Sequence, residues 1–366
     1  MKKVIFYMPN FHHGGAESIM VEVANYFTNN NLEVTFVVVK AEGVLMSKLN
    51  KKINIIDLNL ENQWLTILKL PFVIRKINAD FIFSTMKESN FIAIFSRIIS
   101  LKNTKNIIRE ANTVSQQLEN ETKIHQKVKN KIILYFYKFS HKIIVLSNSM
   151  GNDLLSVSKV NKKNLIVIPN FVDIDKIKHL SSEEIDNDEL FLLEKKPIFI
   201  TVARLFTQKN YHFLLTALKE YINKGNHFTF IALGDGPLKK ELEDYSLGLG
   251  LENNCYFLGY KSNPYKYLVK SDIFLLPSSY EGMSNSLIQA MALNLKVLVS
   301  DTQSTSLELI KEYEDGFSFK NNDIINFVEK LSNINVTVVN KSNEKLVNNN
   351  NNSLLNYLKL TNIDED

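Results

Sequence analysis

The chain alternates between short apolar segments rich in β-branched residues and longer segments whose apolar residues recur at helical spacing. This alternation is typical of strand–helix–strand units around a parallel sheet. It stops across residues 173–196, a stretch rich in Asp, Glu and Ser without a clear strand, and then resumes. The predicted strands are 4–8, 34–39, 81–84, 106–109, 143–146 and 165–168 before this interruption, and 197–202, 228–233, 256–258, 273–276 and 297–299 after it.

The interruption predicts an α/β protein with two Rossmann-like, doubly wound domains that face each other across a cleft. We expect a first domain over 1–172, a linker over 173–196 and a second domain over 197–345. Residues 346–366 begin with an asparagine run that is low in complexity. Ligands of such folds bind beyond the carboxyl ends of the strands, so the loops that follow the strands are the places to search for a site.

The segment 273–292 carries the most informative of these loops. An apolar strand ends at Pro277, and helical spacing of apolar residues begins after Ser284. Free backbone N–H groups and the helix dipole make the start of this helix a candidate diphosphate cradle, formed by Met283, Ser284, Asn285 and Ser286. Glu281 and Gln289 flank the cradle and are predicted to face the same ligand. An ordinary strand–helix unit with a surface glutamate and a core-flanking glutamine explains the same residues.

Three further loops follow predicted strands. Gly14 and Gly15 open the first helix and allow backbone N–H groups to approach a ligand, although the third glycine of a dinucleotide-binding pattern is missing. Arg204 and Lys209 place two cations in one loop, a combination that suits a diphosphate. The loop 234–237 predicts only a reversal of the chain.

Composition restricts the class of protein. The chain has 366 residues, 45% hydrophobic and 22% charged, with a net charge of +4, as expected for a globular protein that does not bind nucleic acid. A single cysteine, Cys255, excludes an intramolecular disulfide and a multi-cysteine metal site. The apolar part of the N-terminal segment is too short for a signal peptide, and no 18-residue apolar run exists, which predicts a cytoplasmic location.

The segment 123–142 contains six lysines and no acidic residue, interleaved with aromatic and aliphatic side chains. Such a composition suits the surface of an anionic membrane. A solvated helix that packs on its own sheet explains the same composition.

Six features, in order along nearly the whole chain, together resemble the retaining glycosyltransferases of the GT-B fold, specifically glycosyltransferase family 4 (glycosyl transferases group 1). They are Gly14–Gly15, residues 168–173, the cations Arg204 and Lys209, the loop 234–237, residues 257–260, and the motif that starts at Glu281–Gly282.

The resemblance implies roles for these residues. Arg204 and Lys209 would neutralise the diphosphate of a nucleotide-sugar, Glu281 would hold hydroxyls of the transferred sugar, and these three form the predicted catalytic set. Gly259 and Tyr260 would lie near the nucleobase. The family uses no protein nucleophile, so we expect no catalytic carboxylate pair, and we expect neither a cofactor nor a metal. The C-terminal helix of the family crosses back to the first domain, and 354–358 resembles it.

The chain departs from the family pattern at several positions. Gln289 stands where the family has a second glutamate that binds the ribose, so nucleotide affinity is expected to be lower. Where many members carry a histidine between the domains, this chain has Arg109 and Glu110, which become candidates for contacts with the acceptor or the sugar, together with His13. An Asp-x-Asp pattern at Asp173, typical of metal-dependent transferases, lies outside the usual context for a metal site.

The sequence therefore predicts a retaining, metal-independent transferase that moves a hexose or N-acetylhexosamine from a UDP-sugar to a lipid-linked glycan. We expect it at the inner face of the cytoplasmic membrane, in capsule or O-antigen synthesis. GDP-mannose is the alternative donor. A UDP-sugar epimerase and a non-catalytic, nucleotide-sugar-binding partner of another transferase are the alternative functions, the second suggested by Gln289.

Overall fold

The computed structural model describes residues 1–12, 14–121, 123–302, 304–313, 316–334 and 352–362. The chain divides into two compact units, which are described separately below. The first comprises Met1–Phe171 with Asn351–Asp366, and the second comprises Val172–Asn350.

The first unit is built on a seven-stranded parallel sheet with the strand order β3-β2-β1-β4-β5-β6-β7. Its strands are β1 (Lys3–Met8), β2 (Glu33–Val38), β3 (Asn54–Asp57), β4 (Phe81–Thr85), β5 (Lys105–Arg109), β6 (Lys142–Val145) and β7 (Leu165–Val167). Its helices are α1 (Gly15–Asn29), α2 (Thr66–Ile77), α3 (Lys87–Ser100), α4 (Val114–Asn120), α5 (Ile124–Phe136) and α6 (Asn148–Val157).

The core of this sheet is aromatic at its centre. Phe6 of β1 lies opposite Phe36 of β2 and Phe83 of β4 in the strand register. The Phe6 ring stacks on that of Phe83 and is met edge-on by Phe27 of α1. Because parallel strands covered by helices are buried on both faces, these strands are continuous apolar runs rather than alternating ones. The strand order reverses between β1 and β4, which places the loop after β1 at the switch point of the sheet.

The second unit has a six-stranded parallel sheet with the order β10-β9-β8-β11-β12-β13. Its order reverses between β8 and β11, so the loops after these two strands border the switch point. The strands are β8 (Ile198–Val202), β9 (Thr229–Leu233), β10 (Cys255–Gly259), β11 (Ile273–Leu276), β12 (Lys296–Ser300) and β13 (Gly316–Phe319). The helices are α7 (Ile174–Ser181), α8 (Tyr211–Asn223), α9 (Lys239–Gly248), α10 (Tyr265–Leu268), α11 (Asn285–Ala292), α12 (Ser304–Tyr313) and α13 (Ile324–Ser332).

The prediction of two doubly wound parallel sheets is confirmed, and every predicted strand overlaps a strand of the structure. Two edge strands, β3 and β13, lacked a clear sequence signal. β3 reads Asn-Ile-Ile-Asp, and three of its four residues are exposed. β13 has only one buried residue, Phe319. Because an edge strand is covered less than a central one, it does not need the apolar run that identifies the other strands.

The predicted linker, 173–196, is folded into the second unit. Its first half forms α7, and its second half contains a 3₁₀ turn over Asn187–Leu193. The side chains of Ile174, Ile177 and Leu192 are buried in the core of this unit. This short amphipathic helix was not predicted because the segment is rich in acidic residues. A helix with one solvated face needs only about two apolar positions per turn, so its apolar pattern is weak.

The C-terminal segment packs on the first unit. A helix over 352–359, here α14, is followed by a 3₁₀ turn at Leu360–Asn362. The side chains of Tyr357 and Leu360 belong to the same core cluster as the aromatic residues of β1 and β2. The Nζ of Lys2 donates a hydrogen bond of 2.7 Å to the carbonyl oxygen of Thr361, which fixes the end of the segment beside β1.

Candidate active site

An ion pair at the carboxyl ends of β8 and β11 forms the centre of the candidate site. Lys209 lies in the 3₁₀ turn Thr207–Lys209 that follows β8, and its Nζ pairs with Oε1 of Glu281, which follows β11. The two side chains are only 16% and 10% exposed, respectively. Ser278 adds a hydrogen bond of 3.0 Å from its Oγ to the same carboxylate oxygen. The pair is therefore shielded from water and held in one arrangement.

Two hydrogen bonds join the loops that carry this pair. The side-chain amide of Gln208 donates to the carbonyl oxygen of Tyr280 at 2.7 Å, and the N–H of Ser279 donates to the carbonyl oxygen of Gln208 at 2.9 Å. Lys209 and Glu281 are 72 positions apart in sequence, and these bonds bring them together. The structure thus unites two of the predicted catalytic residues in one cluster.

Arg204, the third predicted catalytic residue, lies in the same loop after β8. Its side chain is exposed, and the guanidinium carbon lies 5.0 Å from the centre of the Phe206 ring. Among the residues that the structure describes, no carboxylate forms an ion pair with it. Lys209 is thus neutralised within the chain, whereas Arg204 retains its charge for an external anion.

The glycine loop 234–237 supports the backbone on both sides of Arg204. The N–H of Leu205 donates to the carbonyl oxygen of Asp235 at 2.9 Å, and that of Ala203 donates to Leu233 at 3.0 Å. Gly234 has a φ of +139°, and a Cβ there would overlap the carbonyl oxygen of Ala203. A Cβ on Gly236 would likewise overlap the carbonyl group of Leu205. The sequence predicted only a chain reversal for this loop. In the structure its backbone packs directly against the backbone around Arg204, and this close approach requires glycines.

The start of α11 has the expected capping geometry. Ser284 is its N-cap, and its Oγ accepts a hydrogen bond of 3.4 Å from the N–H of Leu287. The hydroxyls of Ser284 and Ser286 lie 3.0 Å apart. Met283 and Asn285 also have contacts within the chain. The dipole of α11 and its first N–H groups favour an anion at this end of the helix.

Gln289, one turn further along α11, forms a contact that the sequence did not predict. Its Nε2 donates a hydrogen bond of 3.4 Å to the hydroxyl of Tyr265, at the start of α10. Tyr260, a predicted nucleobase contact, is 53% exposed, and Gly259 before it has a φ of +70°. The carbonyl oxygen of Gly259 accepts a hydrogen bond of 2.8 Å from Gly234, so the loop after β10 adjoins the glycine loop. A tyrosine just after Asn263-Pro264 at a helix start was the signal available for Tyr265.

In the first unit, the predicted ligand contacts have a different environment. Gly14 is the N-cap of α1, with its carbonyl oxygen accepting from the N–H of Ser18 at 2.9 Å, and Gly15 is the first residue of the helix. His13 lies outside the described residues. Arg109 and Glu110, at the end of β5, are 2% and 3% exposed.

The side chains of Arg109 and Glu110 are occupied by internal partners. Arg109 donates to the Oγ1 of Thr85 at 3.2 Å and to the Oδ1 of Asn170. Glu110 accepts from the hydroxyl of Tyr137 at 2.8 Å and from two backbone N–H groups that follow it. Burial raises the pKa of Glu110, and the hydrogen bond from Tyr137 opposes that rise. Both residues therefore hold the loop after β5 in place, and their contact with an acceptor stays a prediction.

The Asp-x-Asp pattern at the start of the second unit has a structural role. Asp173 is the N-cap of α7, and its Oδ1 accepts from the N–H of Lys176 at 2.9 Å. Asp175 lies in the first turn of the same helix, where a negative charge stabilises the helix dipole.

Comparison with known proteins assigns the family. The family Glycosyltransferase Family 4 matches residues 13–176, and the family Glycosyl transferases group 1 matches residues 182–352. The chain belongs to glycosyltransferase family 4, of the GT-B fold.

Individual relatives agree with this assignment. An N-acetylgalactosamine-N,N'-diacetylbacillosaminyl-diphospho-undecaprenol 4-alpha-N-acetylgalactosaminyltransferase of Campylobacter jejuni is 31% identical over 267 residues, which cover 70% of this chain and 69% of that protein. An uncharacterized glycosyltransferase of Methanocaldococcus jannaschii is 30% identical over 66% of this chain, and the match spans 60% of that relative's length. The fold is similar to that in a crystal structure of Anabaena HepE in complex with UDP-glucose, with a TM-score of 0.75 and 16% sequence identity. The alignment covers 100% of this chain and 99% of that chain.

Proposed function

We propose that this chain is a retaining, metal-independent glycosyltransferase. It moves a hexose or N-acetylhexosamine from a UDP-sugar to a lipid-linked glycan acceptor in the synthesis of a surface polysaccharide. The observation that carries the proposal is the shielded pair of Lys209 and Glu281. Glu281 precedes the first turn of α11, and Lys209 lies in the loop that also presents Arg204.

The pair supplies both groups that a nucleotide-sugar needs. Lys209 and Arg204 bind the diphosphate and stabilise the negative charge that develops on this leaving group as the bond to the sugar breaks. The carboxylate of Glu281, released from Lys209, accepts hydrogen bonds from hydroxyls of the sugar. Ser278 and the two hydrogen bonds between the loops hold the backbone that carries these groups. The ion pair separates when the donor binds, so this reorganisation precedes the transition state.

The donor and acceptor classes rest on the relatives. The Campylobacter relative is named for transfer of N-acetylgalactosamine to a diphospho-undecaprenol-linked sugar, and the Anabaena structure contains UDP-glucose. These names support a UDP-linked donor and a lipid-linked acceptor for this chain.

A panel of nucleotides tests the donor site. We expect UDP to raise the melting temperature of the wild-type protein by mass action, and GDP, ADP and CMP to have no effect. Arg204→Ala should abolish the UDP shift, whereas Lys196→Ala, which removes an exposed lysine that pairs with Asp272, should retain it. A shift with GDP alone would favour GDP-mannose over a UDP-sugar as the donor.

A second experiment tests transfer itself. The protein is incubated with a UDP-sugar and a polyprenyl-diphosphate-linked acceptor, and NMR of the product tests retention of the anomeric configuration.

Gln289 favours a second candidate, a partner protein that binds nucleotide-sugar without turnover. Its amide donates to Tyr265 and carries no charge. No transfer by either the wild type or Gln289→Glu, in the presence of a bound UDP-sugar and an acceptor, would support the partner function and contradict the enzyme.

We also propose that the first unit contacts an anionic membrane through α5. None of the described helices is long and apolar enough to cross a membrane. Ile124, Val128 and Ile132 recur every four residues along one face of α5, and all three are exposed. Exposed lysines flank this stripe at 123, 127 and 131. An apolar stripe between cations suits the boundary between headgroups and acyl chains.

Sedimentation with vesicles tests this contact. Val128→Glu with Ile132→Glu should abolish co-sedimentation with phosphatidylglycerol vesicles. Leu247→Glu, which changes an exposed leucine of α9 in the second unit, should retain it. Equal sedimentation of the two variants would exclude α5 as the contact.

A further inference from the structure

A second concave site lies at the opposite edge of the first sheet from Arg109. It is an open pocket with a volume of about 460 Å³, lined by Arg97, Lys102, Asn103, Thr104, Lys105 and His141. Lys105 begins β5, and His141 directly precedes β6, so the pocket lies at the amino ends of these strands. None of its residues belongs to the proposed transferase site.

The lining of this pocket is cationic. Three of its six residues carry a permanent positive charge, and no carboxylate is among those that line it. Arg97 is held at the pocket by its Nη2, which donates to the carbonyl oxygen of Phe139 at 2.8 Å and to Oδ1 of Asn106 at 3.3 Å. A fixed guanidinium with two nearby ammonium groups is a common arrangement for a phosphate ester.

Two buried donors beside the pocket are unused. The Nε of Arg97 and the Nδ2 of Asn106 have no hydrogen-bond partner among the residues that the structure describes. Asn106 is 0% exposed. Buried donors without partners are rare, because each loses its hydrogen bonds to water. Both atoms are covered by the protein, so they add positive potential behind the pocket and do not contact an anion there.

The imidazole of His141 is held in its neutral form at the pocket. Its Nδ1 lies 3.1 Å from Oδ1 of Asn106. Burial, with the charges of Arg97 and Lys105, lowers the pKa of His141 to about 4. Its neighbour Lys142 is directed elsewhere, since its Nζ donates to the carbonyl oxygen of Lys163. An anion in the pocket would oppose these two cations and raise the pKa of the imidazole.

Exposed apolar side chains occur in the chain segments next to the residues that line the pocket. Ile98 and Leu101, on either side of the end of α3, are exposed, Leu101 to 85%. Phe139, whose carbonyl oxygen holds Arg97, is also exposed and meets the ring of Tyr135 on α5 edge-on at 6.4 Å. Phe139 therefore connects the segment that holds Arg97 to Tyr135 on α5.

We propose that this pocket binds the phosphate of a phosphate ester, with Arg97, Lys102 and Lys105 as its ligands and Ile98, Leu101 and Phe139 beside the organic part. A phospholipid headgroup and a soluble phosphate share this chemistry, and the exposed apolar residues in the neighbouring segments favour the lipid. The pocket does not depend on the proposed transferase activity.

The test follows the His141 signal by NMR of the full-length protein, assigned by its loss in His141→Gln. Saturating inorganic phosphate or dihexanoyl-phosphatidylglycerol, at constant ionic strength, should raise the pKa of His141 by about one unit or more. Because the anion favours the imidazolium, binding should tighten as the pH falls toward this pKa. Dihexanoyl-phosphatidylcholine, which carries a compensating cation, is the matched lipid control.

The variants and probes separate the outcomes. Lys102→Ala, an exposed position that leaves the core intact, and Lys105→Ala should each weaken binding at least about fivefold, and Lys51→Ala, in an exposed turn of the same unit, should not. A response to phosphatidylglycerol but not to phosphate or phosphatidylcholine assigns the pocket to an anionic headgroup. A response to inorganic phosphate assigns it to soluble phosphate. An unchanged His141 pKa with both probes, or the same shift in Lys102→Ala or with added chloride, would overturn the proposal, whatever the outcome of the transferase assays.

Discussion

Two pairs of opposite charges in this chain have different environments. Arg109 and Glu110 are adjacent in sequence, yet each is buried among its own neutral partners. Lys209 and Glu281 are far apart in sequence, yet they pair with each other beside an exposed arginine. Groups that hydrogen-bond to neutral internal partners fix a loop of the fold. A shielded ion pair can instead separate, so that its cation binds a diphosphate and its carboxylate binds sugar hydroxyls. Sequence proximity does not distinguish the two cases.

Removal of Lys209 should give the largest effect. We expect Lys209→Ala to lower kcat/KM for the sugar donor by about 10² to 10³, because a preorganised cation at the leaving group is lost. Steady-state transfer or UDP-release assays measure this. Lys196→Ala, which removes an exposed lysine that pairs with Asp272, is the control and should change the rate less than about threefold. Near-normal turnover by Lys209→Ala would contradict a role of the Lys209–Glu281 pair in binding the donor.

Arg109→Ala should affect stability rather than chemistry. The substitution removes the hydrogen bonds to Asn170 and Thr85 and opens a cavity, so the free energy of unfolding in urea should fall by about 3 kcal/mol. Transfer per folded molecule should remain close to wild type. Unchanged stability with lost transfer would instead assign Arg109 to the acceptor.

Glu110→Gln should change how stability depends on pH. Since burial raises the pKa of Glu110 in the folded state, the folded protein retains a proton that the unfolded chain has lost. Glu110 therefore makes the free energy of unfolding fall as pH rises from the ordinary value of 4.5 to the raised pKa, by up to about 1.4 kcal/mol per pH unit. The difference in unfolding free energy between wild type and Glu110→Gln should show this slope. A flat difference between pH 4.5 and 7 would contradict it.

Gln289→Glu should have the smallest effect, and it tests where the ribose of the nucleotide binds in the second unit. A carboxylate accepts stronger hydrogen bonds from ribose hydroxyls than an amide does, so the Kd for UDP should fall about tenfold, equal to about 1.4 kcal/mol. Isothermal titration calorimetry measures this. Tyr265→Phe, which removes the hydroxyl that accepts from Gln289, is the companion variant, with a change of less than about threefold. Weaker UDP binding by Gln289→Glu would place the ribose elsewhere.

The local sequence was sufficient for the two sheets apart from their edge strands β3 and β13, and for the loops that carry Arg204, Lys209 and Glu281. Buried parallel strands must be apolar on both faces, and a loop after such a strand must lie at the carboxyl edge, so both follow from short segments. The cap at Ser284 follows from local chemistry as well, since its hydroxyl satisfies an N–H three residues away.

Only the tertiary structure decided which distant groups meet. The pairing of Lys209 with Glu281, the support of Arg204 by the glycines at 234 and 236, and the contact of Gln289 with Tyr265 join separate strand–helix units. The burial of Arg109 and Glu110 and the packing of the acidic segment 173–196 into a core also depend on neighbours distant in sequence. A local pattern specifies the secondary structure of a segment, but the partner of a charge is set by the sheet order and by the loops that the order places side by side.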